Sequence, residues 1–411
     1  MNRAARIGIV VVSVVIFCYA GLGHVLGRVT DDKAYKSLTV YGEVLQKIQQ
    51  DYVDDPNMHT VTAGSLHGLL ESLDPQSSYL TPREYDEYKK KSQNSGTGET
   101  GLTLSKRYGY VIVLSVLPDS PGTKAGVRSG DIFESIGGFT TRDMSVGQAQ
   151  NLLSGQPGTG IKVAVIRRGK ATPDEVDLVR EKLATPKIIV QKADPDILVL
   201  RLPSLDAGRA DEVRNRLLDA EKQGIRKVIV DVRECGRGPV SEAISLARLF
   251  VPSGTITTLR GQTVSAQVFS ADPKQVVWKN SVSVLIDATT SGAAEVFASA
   301  IVANHRGDVV GERTFGLASE QKLITMDDGA ALILTVANYY NPGGKSILEE
   351  GITPTETVRA VPEDADSGDD DGAPAPEPQK EPGLGPRPLS PEDPIFHRAL
   401  DLLKTPVKKA A

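Results

Sequence analysis

Apolar and polar positions in the first part of the chain follow the spacing of α-helices. One apolar face is formed by positions that repeat at intervals of three and four residues, namely Tyr41, Val44, Leu45 and Ile48. Thr81 fits a helix cap, with Pro82 at the first helical position and Glu84 three residues after the cap. These patterns predict an N-terminal helical region over residues 33–95.

Later in the chain, short apolar runs predict buried strands. The runs lie near Ile197 to Leu202, Val228 to Val232, Val282 to Ile286 and Ala331 to Val336. An amphipathic helix is predicted from Val240 to Phe250, and a further helix from Glu295 to about Asn304. Strands that alternate with helices predict an α/β core over residues 183–359.

The N-terminus has the pattern of a membrane-targeting segment. Arg3 and Arg6 precede an apolar run from Ile7 to about Leu26, close to the ~20 residues that span a bilayer. We expect residues 1–27 to form an uncleaved, single-pass anchor in the inner (cytoplasmic) membrane. With the arginines retained inside, the soluble part is predicted to be extracytoplasmic, in the periplasm. A cleaved signal peptide is the alternative, for which Cys18 to Ala20 offers only a weak site.

The C-terminal part of the chain changes composition abruptly. Residues 360–389 are rich in proline and acidic residues, and such a segment cannot bury enough apolar surface to fold, so we predict a disordered linker. Residues 390–411 contain a final predicted helix. Its apolar face, formed by Phe396, Ala399, Leu402 and Leu403, is expected to dock on the core or on a partner.

Composition narrows the possible functions. The 411 residues are 40% hydrophobic and 24% charged, as in globular proteins of two or three domains. The net charge is −5 and no basic patch is interleaved with aromatic residues, which disfavours nucleic-acid binding. Two cysteines give no disulfide framework. No motif predicts a metal site or a cofactor.

Residues 96–182 resemble a PDZ domain. Gly101, Leu102, Thr103 and Leu104 fit the carboxylate-binding loop and the strand that follows it, and the segment Ser120 to Val127 fits the first core helix. The resemblance implies capture of an extended peptide by strand addition, with backbone amides holding the terminal carboxylate. The expected partners are C-terminal or unstructured tails of proteins.

The region from about residue 35 to 358 resembles the carboxyl-terminal processing, or tail-specific, serine peptidases. Leu73 to Leu80 resembles the L-D-P-H-S-x-Y-L signature of that family, and Asp287 to Gln321 resembles its active-site region. The implied fold class is α/β and α+β multidomain: an N-terminal helical region, a PDZ domain and a ClpP/crotonase-like peptidase core.

The resemblance places the family's catalytic positions on residues that have no reactive side-chain group. Counting from Glu295 puts Gly292 at the position of the nucleophilic serine, and Leu317 falls at the position of the general base, a lysine in the family. Gln321 matches the glutamine that orients the lysine. Acyl transfer through a covalent intermediate needs a nucleophile and a proton acceptor, and glycine and leucine supply neither.

Two substitutes for the missing groups deserve testing. Ser291 and Lys322 lie near the vacant positions in sequence, but a shift of one residue moves a side chain well outside reactive geometry. Cys235 is a possible thiol nucleophile, although no histidine motif accompanies it, and a buried structural thiol is the favoured interpretation.

The oxyanion-hole segment also departs from the family pattern. Cys235, Gly236 and Arg237 stand where the family has asparagine, proline and its first glycine, and Gly238 follows. With Ala293, these residues would supply the backbone N–H groups around a developing negative charge. An arginine disfavours the positive φ angles open to glycine, so we expect the loop shape to differ.

The sequence therefore supports two function classes. The first is a membrane-anchored pseudo-peptidase that binds protein C-termini through its PDZ domain as an adaptor or regulator. The resemblance to the family, which contains oligomers, also implies a homo-oligomer or, as a special case, a hetero-oligomer with an active relative. The second is an active serine-type endopeptidase that processes C-terminal tails with a rearranged site.

Overall fold

The computed structural model describes residues 32–93, 96–107, 109–142, 144–167, 172–359 and 393–404. Its contacts divide the chain into two compact units at Ser65. The predicted anchor at residues 1–27 and the predicted linker at residues 360–389 lie outside the described residues. Within the described ranges, no helix combines the length and the apolar character that a membrane span requires.

The helices of the described residues range in length from 4 to 20 residues. They are α1 (Asp32–Asp51), α2 (Met58–Glu71), α3 (Pro82–Gln93), α4 (Pro121–Lys124), α5 (Val146–Leu153), α6 (Arg209–Lys222), α7 (Val240–Arg248), α8 (Ala293–Ala303) and α9 (Pro394–Lys404). A 3₁₀ turn occupies Pro273–Gln275. The predicted cap of α3 is present, because the backbone N–H of Thr81 donates to Glu84 Oε2 at 2.8 Å.

The strands form three sheets. They are β1 (Ser78–Leu80), β2 (Leu102–Arg107), β3 (Tyr110–Val116), β4 (Ile132–Ile136), β5 (Phe139–Thr140), β6 (Gly160–Ile166), β7 (Asp174–Val179), β8 (Ile189–Asp194), β9 (Ile197–Arg201), β10 (Lys227–Asp231), β11 (Thr255–Arg260), β12 (Gln267–Ser270), β13 (Ser281–Ile286), β14 (Asp308–Gly311), β15 (Ser319–Thr325), β16 (Ala331–Tyr340) and β17 (Glu356–Thr357).

One sheet belongs to the predicted PDZ region. Its order is β2-β3-β4-β6-β7, with β5 paired to β4, and all of these pairs are antiparallel. Leu104, Phe133 and Val163 pack beneath it together with Ala149 of α5. A capping box between Ser145 and Gln148 starts α5. Strand β2 and helix α5 therefore belong to the same small core.

The second sheet is the centre of the predicted peptidase core. Its order is β17-β14-β13-β10-β9-β8, and only β8 runs antiparallel to its neighbour. Successive residues of a strand face opposite sides, so Val284 belongs to the core cluster that includes residues of α6, α7 and α8, while Leu285 belongs to the cluster that includes α9. Burial on both faces explains why these strands are continuous apolar runs.

Helix α9 docks on the core, which is one of the two partners expected from its sequence. Ile395, Phe396, Ala399 and Leu403 are buried there. Leu402, expected on the same face, is only partly buried. At the start of the helix, Arg233 Nη1 lies 2.6 Å from Asp393 Oδ2.

The third sheet joins distant parts of the chain. Its order is β1-β16-β11-β12, and β15 also pairs with β16. In β1, Ser78 lies opposite Ile333 and Leu80 lies opposite Ala331. The predicted N-terminal helical region thus also contains a strand of the core, and the PDZ region is inserted between β1 and β8.

Candidate active site

The turn after β13 has the conformation of a tight strand-to-helix elbow. Asp287 Oδ1 accepts the backbone N–H groups of Thr289 at 3.0 Å and Thr290 at 2.7 Å, which tightens the turn. Gly292 then precedes α8 with φ 63° and ψ −120°. A serine nucleophile is presented on such a strand-to-helix turn in the α/β-hydrolases. The backbone geometry is present at Gly292, but the hydroxyl is not.

Glu295 connects this elbow to the loop that follows β14. Its Oε2 accepts the backbone N–H of Gly292 at 2.8 Å and that of Leu317 at 2.7 Å. Its Oε1 accepts the hydroxyl of Thr314 and the backbone N–H of Gly316, each at 2.6 Å. One side chain therefore fixes the nucleophile position and the base position relative to each other.

The Glu295 carboxyl group is fully buried. Burial raises its pKa to about 7, and the four hydrogen bonds only partly oppose this rise. From the sequence, Glu295 served only as the position from which Gly292 was counted back. Its bridging role was signalled by its place three residues after the helix cap, where a glutamate bonds back to the cap N–H.

The residues at the base and orienting positions form no proton-transfer pair. Leu317 is partly buried and carries no titratable group. Gln321 is exposed on β15, where its Nε2 donates to Ser319 Oγ at 2.8 Å. Lys322 is also exposed on β15 and pairs with Leu334 of β16.

Ser291 lies in a different environment from Lys322. Ser291 is buried, and its Oγ has no hydrogen-bond partner among the described residues. Its backbone N–H donates to the carbonyl of Cys235 at 3.1 Å. A Cβ built on Gly236 would lie 2.7 Å from Ser291 Oγ, so the hydroxyl faces the predicted oxyanion loop rather than a base. The structure does not bring Ser291 and Lys322 together as a pair.

Cys235 has the properties of a structural thiol. It is buried in the main core cluster. Burial raises the pKa of its thiol to about 12, even though the backbone N–H of Arg237 hydrogen bonds to the sulfur. A thiol that stays protonated at neutral pH is a poor nucleophile.

The predicted oxyanion loop is shaped by residues on either side of it. Glu234 adopts φ 56°, unusual for a side-chain-bearing residue, and Arg201 Nη2 lies 3.0 Å from its carboxylate. Gly238 adopts φ 127°, and a Cβ there would lie 2.2 Å from the carbonyl oxygen of Leu205. Arg237 does not adopt a positive φ, as expected for an arginine. Ala293 is the buried first residue of α8.

The PDZ region packs directly against this loop. A Cβ built on Gly236 would lie 3.0 Å from Ser115 Oγ of β3 and 3.2 Å from Thr103 Cγ2 of β2. Arg237 Nη1 lies 2.8 Å from Glu99 Oε2, just before the predicted carboxylate-binding loop. Sequence patterns gave no sign of these contacts, because they join residues far apart in the chain.

A second contact lies beside the base position. The guanidinium carbon of Arg107, at the end of β2, lies 5.2 Å from the centre of the Phe315 ring. Phe315 is two residues before Leu317. The first two PDZ strands thus cover both the oxyanion loop and the base loop.

The predicted carboxylate-binding residues lie at the edge of the PDZ sheet. Gly101 has φ 78°, and a Cβ there would lie 2.2 Å from the Cβ of Ser120, so only glycine fits. Leu102 starts β2 and Leu104 is buried in the PDZ core. Among the described residues, no group of His, Cys, Asp and Glu side chains is arranged to hold a metal ion.

Comparison with known proteins identifies the two domains. The model of peptidase family S41 matches residues 196–358, and a PDZ domain model matches residues 112–167. The carboxy-terminal-processing protease of Bartonella bacilliformis is 28% identical over 80% of this chain and 76% of its own length. The carboxy-terminal processing protease CtpA of Bacillus subtilis is 26% identical over 84% of this chain and 74% of its own length.

A solved structure has the same fold. The photosystem II D1 C-terminal processing protease superposes with a TM-score of 0.65 at 22% identity, covering 79% of this chain and 94% of that chain. This likeness supports the predicted multidomain fold class, which is confirmed. The chain therefore carries a peptidase family S41 domain and a PDZ domain, and it is a homologue of the carboxyl-terminal processing proteases.

Proposed function

We propose that this protein is a pseudo-peptidase that binds protein C-termini through its PDZ domain and acts as an adaptor or regulator. The observation that carries the proposal is the elbow at Gly292, which has a positive φ but presents no nucleophile. Leu317, held beside it by Glu295, offers no base. A site of this kind can position a peptide but cannot transfer an acyl group.

The covering of the site by the PDZ domain also supports binding over cleavage. Ser115 and Thr103 lie against Gly236, where a substrate carbonyl would have to approach the oxyanion loop. The PDZ groove remains available, since a cleft opens beside β2 and the end of α5, with Gly236–Gly238 of the core on its other side. Membrane anchoring through residues 1–27 belongs to this proposal as well and rests on the sequence alone, and assembly with an active relative rests on the resemblance to the family.

The alternative is an active endopeptidase, and the names of the homologues favour it. It would require Ser291 as a displaced nucleophile, and Ser291 Oγ is free of hydrogen bonds among the described residues. The hydroxyl is nevertheless buried and faces Gly236, away from the exposed Lys322. We therefore favour the pseudo-peptidase.

The deciding experiment compares cleavage by the full chain with cleavage by variants. Unstructured proteins with apolar C-termini are incubated with the natural chain, Gly292→Ser, Leu317→Lys and the double variant, and products are identified by mass spectrometry. We expect no cleavage by the natural chain and none by either single variant. Cleavage by the double variant would show that the remaining site is competent.

The same assay can overturn the proposal. If the natural chain cleaves and Ser291→Ala abolishes the cleavage, the nucleophile has moved and the protein is an enzyme. Lys322→Ala serves as the matched test of the base. Peptide binding is measured separately, so that a chain that neither cleaves nor binds C-termini would contradict the adaptor role.

A further inference from the structure

A cleft of about 390 Å³ lies between the PDZ domain and the core. Its PDZ side is formed by residues 99–104 together with Gln150, Leu153 and Ser154 at the end of α5. Its core side is formed by Gly236–Gly238. A peptide added to β2 would therefore have its C-terminal end next to a loop of the core, not only next to PDZ backbone amides.

Arg237 places a positive charge in this cleft. Its Nη1 lies 2.8 Å from Glu99 Oε2, and its Nε lies 3.5 Å from Asp206 Oδ1. The Arg237 side chain is 39% exposed and that of Glu99 is 44% exposed. An ion pair this open to water contributes little stability, so it can exchange partners at small cost.

The chemistry of the pair matches that of a peptide terminus. Guanidinium groups bind carboxylates through two parallel hydrogen bonds, a geometry that lysine cannot reproduce. Glu99 presents to Arg237 the same group that the end of a peptide chain would present. Glu99 also begins the segment that leads, two residues later, into the carboxylate-binding loop at Gly101.

We propose that Arg237 is the cationic receptor for the terminal carboxylate of a bound peptide, and that Glu99 occupies it when no peptide is present. This inference rests on the proposed C-terminus-binding function. Binding exchanges the Glu99–Arg237 contact for a contact between the peptide and Arg237. The peptide then joins the PDZ domain to the core, and the core takes part in recognising the terminus.

The test measures binding of a fluorescein-labelled decapeptide ending in leucine to the full chain, by fluorescence anisotropy. The peptide is used as the free acid and as the C-terminal amide, which lacks the charge. Arg237→Gln is expected to weaken binding of the acid about tenfold, as for loss of one charge-assisted hydrogen-bonded pair, and to leave the amide unchanged. Arg237→Lys is expected to recover part of the loss.

Two further variants separate charge from packing. Glu99→Gln removes the nearer of the two carboxylates that pair with Arg237, the other being Asp206, and is expected to tighten binding of the acid several-fold. Arg214→Gln is the matched control, because Arg214 is similarly exposed and pairs with Asp211 on α6, away from the cleft. It is expected to change neither affinity.

The outcomes distinguish this inference from the proposed function. If the natural chain prefers the acid and Arg237→Gln keeps the full preference, the inference is wrong while C-terminus binding stands. Equal weakening of acid and amide by Arg237→Gln would assign Arg237 a packing role and also overturn it. If the natural chain binds neither peptide, both this inference and the proposed function fail.

Discussion

The backbone N–H of Leu317 donates a hydrogen bond to the buried carboxyl group of Glu295, with 2.7 Å between Leu317 N and Glu295 Oε2. Because Glu295 also accepts the N–H of Gly292, the two positions that would carry the reaction are held in place without any reactive group. The frame of the site therefore depends on a residue that need not take part in chemistry.

The buried Glu295 predicts a pH-dependent stability. Its pKa rises from 4.5 to about 7 on folding, so the folded chain binds more protons than the unfolded chain between these values. The contribution of Glu295 to the free energy of unfolding should then fall as the pH rises from about 4.5 to 7, by up to about 3 kcal/mol. Urea titrations followed by the fluorescence of Trp278, the only tryptophan and a buried one, measure this slope.

Glu295→Gln provides the control for that slope. The amide cannot ionise, so the variant should lose this part of the pH dependence. It should also be less stable at acidic pH by about 1–3 kcal/mol, because an NH₂ group replaces an oxygen that accepts two backbone N–H groups. An unchanged slope in the variant would show that Glu295 does not titrate in this range.

Two glycines with positive φ should respond differently to alanine. The Cβ added by Gly292→Ala would have no atom within 4 Å apart from those of the adjoining residues. The expected loss of stability is therefore only the backbone strain of a positive φ, about 1–3 kcal/mol. Gly238→Ala adds a clash with the Leu205 carbonyl, 2.2 Å away, and should destabilise the core by more. Equal losses in the urea titration would mean that the loop at Gly238 moves freely.

Cys235 should be chemically inert in the folded protein. With a pKa of about 12, its thiol is protonated at pH 8, and it is also buried. We expect no alkylation of the peptide containing Cys235 by iodoacetamide until urea unfolds the core, as read by mass spectrometry. Rapid alkylation in the native state would contradict this and would make the Cys235 thiol a candidate nucleophile again.

Helix α9 should detach when its main apolar contact is removed. Phe396 is 4% exposed, and replacing such a residue by alanine costs about 3–5 kcal/mol when the surroundings stay in place. We expect Phe396→Ala to raise amide hydrogen exchange over residues 394–404. Leu402→Ala, at a partly buried position, is the matched control and should change exchange much less.

The sequence predicted those parts of the fold that depend on local patterns. The apolar run at Val282–Ile286 correctly predicted a buried strand, because both faces of the parallel sheet are covered and the strand is therefore buried from Val282 to Ile286. The cap at Thr81 and Glu84 was visible because its partners are three residues apart. Strand β1 was missed, since the three residues Ser78–Leu80 are too few to show alternation.

The arrangement of the PDZ domain over the site could not be predicted in the same way. Arg237 was expected only to reshape its loop, whereas its side chain also reaches Glu99. Phe315 and Arg107 are likewise far apart in sequence. Such contacts depend on how two folded domains pack, and neither hydrophobic period nor turn chemistry carries that information.

The pairing of β1 with β16 has a consequence for the order in which the protein folds during its synthesis. Ser78 leaves the ribosome long before its partner Ile333. All strands of the PDZ domain emerge in the interval, so that domain can fold first, as domains do when made from the N-terminus. The newly made chain would then contain a folded PDZ domain while Ser78–Leu80 is still unpaired, because β16 has not yet been synthesised.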